Sequence, residues 1–388
     1  MSYPSPLWQP APGEPARISD APPSATMTSA ASPRPGRRGA VLWVVAALLV
    51  PVLGVLVLYF LRFLGPAASI VGLVLAAVPF VIVWFAVRLI DRWEPEPRRL
   101  LVFAVAWGAI ASVAIALGVD ALLALLVGGL GDAFRSVVQA PLVEEVAKGV
   151  GLLLLYVGAR RWFDGPVDGI VYGALIGAGF AFTENVQYFA VSFIEGGAVQ
   201  VGGVFLLRAV LSPFAHVMFT SLTGFAFGLA ARRALRTGSA LRYALPGLLG
   251  AIVLHALWNG SATFFNFFEL YLTLQVPLFL LFVLGILVLR REEARLTRAR
   301  LGEYAAAGWF TAQEVDMLAT GAGRRSSVAW ARSLPGDRSA VMKTFIRDAT
   351  ALAAARQRAL SGRDATAATQ ERALLQKTTA ARAALLGP

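Results

Sequence analysis

Eight stretches of this chain, at about residues 40–61, 68–88, 100–126, 136–158, 168–191, 204–230, 243–264 and 270–289, each hold some twenty or more predominantly apolar residues. A helix rises about 1.5 Å per residue, so roughly 20 such residues cross the hydrocarbon core of a bilayer. The blocks are continuous rather than alternating, which argues against barrel strands. Composition agrees: 57% of the residues are apolar and 15% charged, where a soluble domain has about 45–50% and about 25%. The expected fold class is all-α, a polytopic transmembrane helix bundle of about eight spans in a cell membrane.

Positive residues orient the bundle. With the N-terminus inside, the cytoplasmic side receives Arg34, Arg37, Arg38, Arg88, Arg92, Arg98, Arg99, Arg160, Arg161, Arg232, Arg233, Arg236 and Arg242, and the other side receives Arg62 and Arg135. This asymmetry places both termini in the cytoplasm. It also explains much of the net charge of +12, which marks the leaflet facing anionic lipid rather than a nucleic-acid surface. Residues 1–39 contain nine prolines and no apolar run, the composition of a disordered arm. Residues 40–290 make up the transmembrane domain. Residues 291–388, with 16 basic and 9 acidic side chains, form a basic Ala/Arg-rich cytoplasmic tail; it could be a helical appendage, lie on the membrane surface or stay partly disordered. No feature of the sequence points to a particular oligomeric state.

Ionisable groups within the spans cost about 2.5–3.5 kcal/mol each at the bilayer centre, so a cluster of them needs a reason. Segment four carries Glu144, Glu145 and Lys148, segment five Glu184 and Asn185, segment six His216, and segment seven His255 with Asn259 one turn on. Taken singly, each has a bland reading: a self-neutralising Glu–Lys pair, a bundle-facing glutamate, a packed neutral imidazole. One lysine satisfies one carboxylate, which leaves the second free as base or ligand. In the topology above, Glu144, Glu184, His216 and His255 all fall very roughly 10–18 Å below the outer surface. The chain has no cysteine, so a metal here takes nitrogen and oxygen donors. Two imidazoles and carboxylates at one depth suit a divalent cation such as Zn²⁺, with a further carboxylate to take a proton from water. A proton or ion pathway could use the same groups. Asp120 and Arg208, near the outer ends of their spans, could pair with each other. Ser212 near His216 lacks the Gly-x-Ser-x-Gly setting of a serine nucleophile.

These residues, in this order, resemble the PrsW family of bacterial intramembrane proteases, distant relatives of the type II CAAX prenyl endopeptidases. The resemblance covers most of residues 90–262. It rests on DRWEPEP at Asp91–Pro97, EExxK at Glu144–Lys148, DGIVYGALIGAGFAFTEN ending at Glu184 and Asn185, then His216, then HxxxN at His255–Asn259. It implies a glutamate-dependent metalloprotease that cuts a single-span, anti-sigma-factor-like membrane protein near its extracytoplasmic face. It further implies Glu144 and Glu145 as base and support, Glu184, His216 and His255 as metal ligands, and Asn259 as the group positioning water or oxyanion. Glu184 stands in an FxxxE motif where prenyl endopeptidases have FxxxH, which argues against prenylated substrates. The competing classes are a CAAX-type endopeptidase, a proton-coupled transporter and a non-catalytic scaffold of the same fold.

Overall fold

The computed structural model describes residues 37–387 except 129, 161, 234, 265 and 361–365. The Pro-rich arm, up to residue 36, lies outside the described residues. Two compact units are present, Pro35–Leu289 and a second holding Arg290–Pro388. Among the described residues there is no strand.

In the first unit, α1 (Arg37–Phe63) and α2 (Gly65–Ile90) are followed by α3 (Arg98–Ala106), which passes through π-helical turns at Trp107–Ser112 into α4 (Val113–Val127). The short α5 (Asp132–Phe134) leads through π-helical turns at Arg135–Gln139 into α6 (Ala140–Gly158). Then come α7 (Pro166–Phe205), α8 (Ala215–Arg232), α9 (Thr237–Phe264), α10 (Phe267–Leu270) and α11 (Val276–Ala306), whose last residues belong to the second unit. Among the described residues, six helical stretches are long and apolar enough to cross a membrane: Val41–Phe63, Gly65–Ile90, Arg98–Val127, Pro166–Arg232, Thr237–Phe264 and Phe268–Ala306. Segments five and six of the sequence both fall in Pro166–Arg232. Segment four is helical, with Glu144, Glu145 and Lys148 close together in its middle, and is not among these six. The chain is a multi-pass membrane protein.

Helix α7 is the axis of the unit. Pro166 opens it at the first helical position, and Asp168 Oδ2 accepts from the backbone N–H of Gly165 (2.7 Å) and Asp164 (3.0 Å), satisfying donors that a helix start leaves bare. All residues from Pro166 to Phe180 are buried, as expected of a helix that is apolar all round. Gly169, Gly173 and Gly177 share one face and meet the α8 backbone: a Cβ added there would lie 2.0 Å from Gly224 O, 2.8 Å from Thr220 O and 2.4 Å from His216 O. Small residues let transmembrane helices approach this closely. The pairing runs antiparallel because α7 breaks at Gly196 and Gly197, where Gly197 takes φ 61°, a conformation that glycine reaches without steric cost. Beyond this break the chain returns through π-helical turns at Leu206–Leu211 and a bend at Ser212–Phe214 into α8.

Two tertiary bonds brace the polar region. The Trp107 indole lies against Gly151 and its N–H donates to Ala147 O at 3.0 Å, fixing α6 beside the α3–α4 helix. In the loop before α3, Glu96 is buried, receives the Tyr172 hydroxyl and has its own N–H bonded to Asp91 Oδ1 at 2.9 Å.

The second unit contains the end of α11, then α12 (Ala312–Leu318), α13 (Gly321–Ser333), α14 (Ser339–Leu360) and α15 (Ala367–Leu386). Thr311 and Glu314 form a reciprocal cap at the start of α12, and Thr320 caps α13. Leu301, Phe310, Leu318, Met342, Phe345, Ala349, Leu352 and Leu385 build a core within this unit. The described part of the tail is helical.

Candidate metal centre

The polar groups of α6, α7, α8 and α9 converge in the interior. Lys148, fully buried on α6, donates to Glu145 Oε1 (2.8 Å) and Glu144 Oε2 (3.2 Å), and its Nζ lies 3.1 Å from His216 Nδ1. The single lysine therefore reaches both carboxylates, contrary to the expectation that one would be left over. Glu144 and Glu145 lie four and three residues before Lys148, each about one turn away on the same helix, so a long flexible side chain spans both. Its ammonium also rests 3.8 Å from the centre of the Phe180 ring, a cation–π contact in an apolar setting.

The two glutamates differ sharply. Glu145 is completely buried and accepts from Lys148, from Thr220 Oγ1 at 3.0 Å and from His255 Nδ1 at 3.1 Å. Three donors thus hold it in place, and the N–H it accepts from His255 leaves that ring's Nε2 with a free lone pair. Among the described residues Glu144 has a hydrogen bond from Lys148 alone, and its Oε2 lies 4.0 Å from His255 Nε2. On α8, His216 accepts at Nδ1 from Lys148, which makes Nε2 the protonated nitrogen and the donor to Glu184 Oε2 at 3.0 Å. Phe219 stacks on the His255 ring at 4.7 Å between centroids.

One donor atom each from Glu144, His216 and His255 lies within 4.8 Å of the other two. Two nitrogens and a carboxylate oxygen from three helices suit a four-coordinate divalent cation with one position open. Each imidazole has its second nitrogen on a carboxylate, His255 on Glu145 and His216 on Glu184, the usual support for metal-bound histidine. Lys148 is the group such a cation would have to move away from His216, and its bond to Glu145 remains available to it. The residues thus fit a metal.

Glu184, His216, His255 and Asn259 also line a cavity of about 340 Å³. The structure draws the sequence candidates together, but in a different division from the one expected. Glu144 joins the imidazoles, while Glu184 stands outside that group, bonded to His216 and to the Arg208 guanidinium. Asn259 donates its amide to Ser136 O at 2.8 Å, tying α9 to the turns before α6. Asp120 and Arg208 do not pair: Asp120 takes Arg135 at 2.8 Å and Gln139 at 3.1 Å, because the chain doubles back directly from α4 to the α6 helix. Thr220 also belongs to this cluster and stands in no motif; its position four residues after His216, on the same helix face, is the signal that points to it.

Residues 96–286 match the family model for PrsW family intramembrane metalloproteases. This stretch belongs to the PrsW family. The chain is similar to Protease PrsW of Clostridioides difficile (strain 630), 36% identical over 153 residues that cover 39% of this chain and 62% of that protein. It is similar to Protease PrsW of Geobacillus kaustophilus (strain HTA426), 31% identical over 142 residues (36% and 58%), and of Bacillus subtilis (strain 168), 30% identical over 140 residues (36% and 60%). The chain thus spans about three fifths of the length of these PrsW relatives. No solved structure matches it. All of the converging polar residues fall inside the stretch matched to the PrsW family.

Proposed function

We propose that this protein is an intramembrane metallopeptidase that hydrolyses a peptide bond of a membrane-spanning protein. The observation that carries this reading is the meeting of Glu144, His216 and His255 within 4.8 Å beside a cavity of about 340 Å³. Glu144, His216 and His255 would hold the divalent cation, Zn²⁺ being the ion that this donor set suits. Such an ion supplies Lewis acidity for attack of water on an amide.

The chain's own residues divide the remaining work. Glu145, held by three donors, keeps His255 in one tautomer and one orientation. Glu144 offers the cation one carboxylate oxygen, and its second oxygen would take the proton of the attacking water and pass it to the leaving amine nitrogen as the C–N bond breaks. Asn259 spends one of its two amide N–H donors on Ser136 and keeps the other for the carbonyl oxygen that gains charge. The substrate segment must unwind at the cavity, since helical peptide bonds are shielded.

The same reading takes the bundle as eight crossings with both termini cytoplasmic, which puts the site in the extracytoplasmic half. Residues 40–290 carry the activity and 291–388 form a cytoplasmic unit. The substrate is a single-span regulator of the anti-sigma-factor kind, cut near its outer end. The test is a map of new termini on single-span proteins, comparing cells with the native chain and with Glu144→Gln. A cut in the outer part of one span, lost in the variant, supports the proposal. No cut anywhere, with ion flux carried by the purified chain in proteoliposomes, would overturn it in favour of a transporter.

A further inference from the structure

One charged group at the cavity belongs to none of the four motifs. Arg208 sits in the π-helical turns Leu206–Leu211, on the arm that returns from the Gly196–Gly197 break. Its Nε donates to Asn185 Oδ1 at 2.6 Å, a second guanidinium nitrogen donates to Glu184 Oε2, and the group stacks 4.0 Å from the centre of the Tyr188 ring. All three partners are on α7. Glu184 Oε2 also accepts from His216 Nε2 at 3.0 Å. One carboxylate oxygen is thereby shared between a permanently charged guanidinium and a ring N–H, which fixes both the place of the carboxylate and the tautomer of the imidazole.

We infer that Arg208 is a positioning residue for the metal centre: it holds Glu184 in place, and Glu184 orients His216 toward the cation. This rests on the metallopeptidase reading above. The arrangement repeats for His216 what Glu145 does for His255, where Lys148 and Thr220 hold the carboxylate. The difference lies in where the support comes from. Lys148 and Thr220 are on fully buried faces of α6 and α8, whereas Arg208 is delivered by the returning arm, whose Val204, Leu207 and Arg208 form one wall of the cavity. Docking of that wall and completion of the His216 support are one event. A planar guanidinium meets these demands through two separate nitrogens and a stacking face, which an ammonium cannot reproduce.

The test uses the purified full-length chain in detergent, with Zn²⁺ affinity from chelator competition, the visible absorption of Co²⁺ as a probe of ligand geometry, and thermal unfolding of the metal-free protein as a separate reading of fold. Arg208→Gln should weaken Zn²⁺ binding more than about twofold, up to the about 10- to 100-fold expected for losing Glu184, the outer partner of the ligating His216, and change the Co²⁺ spectrum. Arg208→Lys should recover part of the loss. Glu184→Gln combined with Arg208→Gln should bind no more weakly than Glu184→Gln alone, because both act through His216. Zn²⁺ affinity within about twofold of native in Arg208→Gln overturns the inference. If Arg208→Gln does not fold, Arg208→Lys decides: a weakened, spectrally altered site supports it and a native one overturns it. A native chain that binds neither ion overturns the metallopeptidase reading itself, a result distinct from native binding left untouched by Arg208 variants.

Discussion

The α7–α8 contact allows a quantitative test of how tightly packing sets the site. A Cβ at Gly177 would lie 2.4 Å from the carbonyl oxygen of His216 and 2.8 Å from its carbonyl carbon. Restoring ordinary contact of 3.4 Å or more requires about 1 Å of separation between the helices at the residue that carries the imidazole. Backbone on both sides leaves no flexible side chain to give way. Gly177→Ala should therefore cost about 1–3 kcal/mol by overpacking, reduced by up to about 1 kcal/mol of helix propensity gained. The larger consequence is functional, since sites tolerate about 0.5 Å of misplacement and about 1 Å can cost roughly 100-fold in rate. Gly54→Ala is the control, because nothing lies within 4 Å of a Cβ there. Thermal unfolding in detergent and Zn²⁺ affinity should be near native for Gly54→Ala and both impaired for Gly177→Ala. If Gly177→Ala matches the control in both, the reasoning from close packing to site geometry is refuted.

Further predictions concern charge. Glu145→Gln strips the fully buried Lys148 and His255 of their closest carboxylate, and loss of a buried ion-pair partner costs about 3–5 kcal/mol; Glu144→Gln should abolish hydrolysis with a clearly smaller drop in unfolding temperature. Burial pushes the carboxyl of Glu96 well above the usual range, the Tyr172 hydroxyl offsets part of this, and Asp164, Glu94 and Asp91 add to the rise. The folded state then holds a proton that the unfolded chain has released, so stability is greatest below the ordinary carboxylate pKa of about 4.3 and falls as pH rises through the elevated value. Unfolding temperatures across pH should show that decline in the native chain and a flatter profile in Glu96→Gln. In the second unit, Glu314 is fully buried and takes Arg382 at 2.5 Å. Glu314→Ala should expose residues 290–388 to limited proteolysis while Zn²⁺ binding by the full chain stays native.

Continuous apolar blocks made the helical bundle legible, because in lipid every backbone polar group must be satisfied within the helix. Scarcity made the site legible: a few ionisable residues at one depth in an apolar chain had to meet. The partners they chose were harder to read. Lys148 serves two carboxylates because a four-carbon stem reaches both helix positions, and Arg208 meets Glu184 rather than Asp120 because the chain turns at Gly196–Gly197. That break lies between two apolar segments, and two glycines in a stretch rich in packing glycines do not announce a reversal. The separation of Glu144 from Glu145 was not readable at all, since adjacent positions differ by about 100° on a helix and only the placement of Thr220 and His255 shows which of the two takes the additional donors.

The central claim is that Glu144, His216 and His255 hold a divalent cation on which peptide hydrolysis depends. The most direct measurement is the metal content of the purified full-length chain, paired with cleavage of a protein substrate before chelation, after it and after metal is restored. About one equivalent of metal per chain is expected, lost in His216→Ala and His255→Ala, with cleavage that disappears on chelation and returns with the ion. A metal-free chain that cleaves its substrate at the full native rate would contradict that claim.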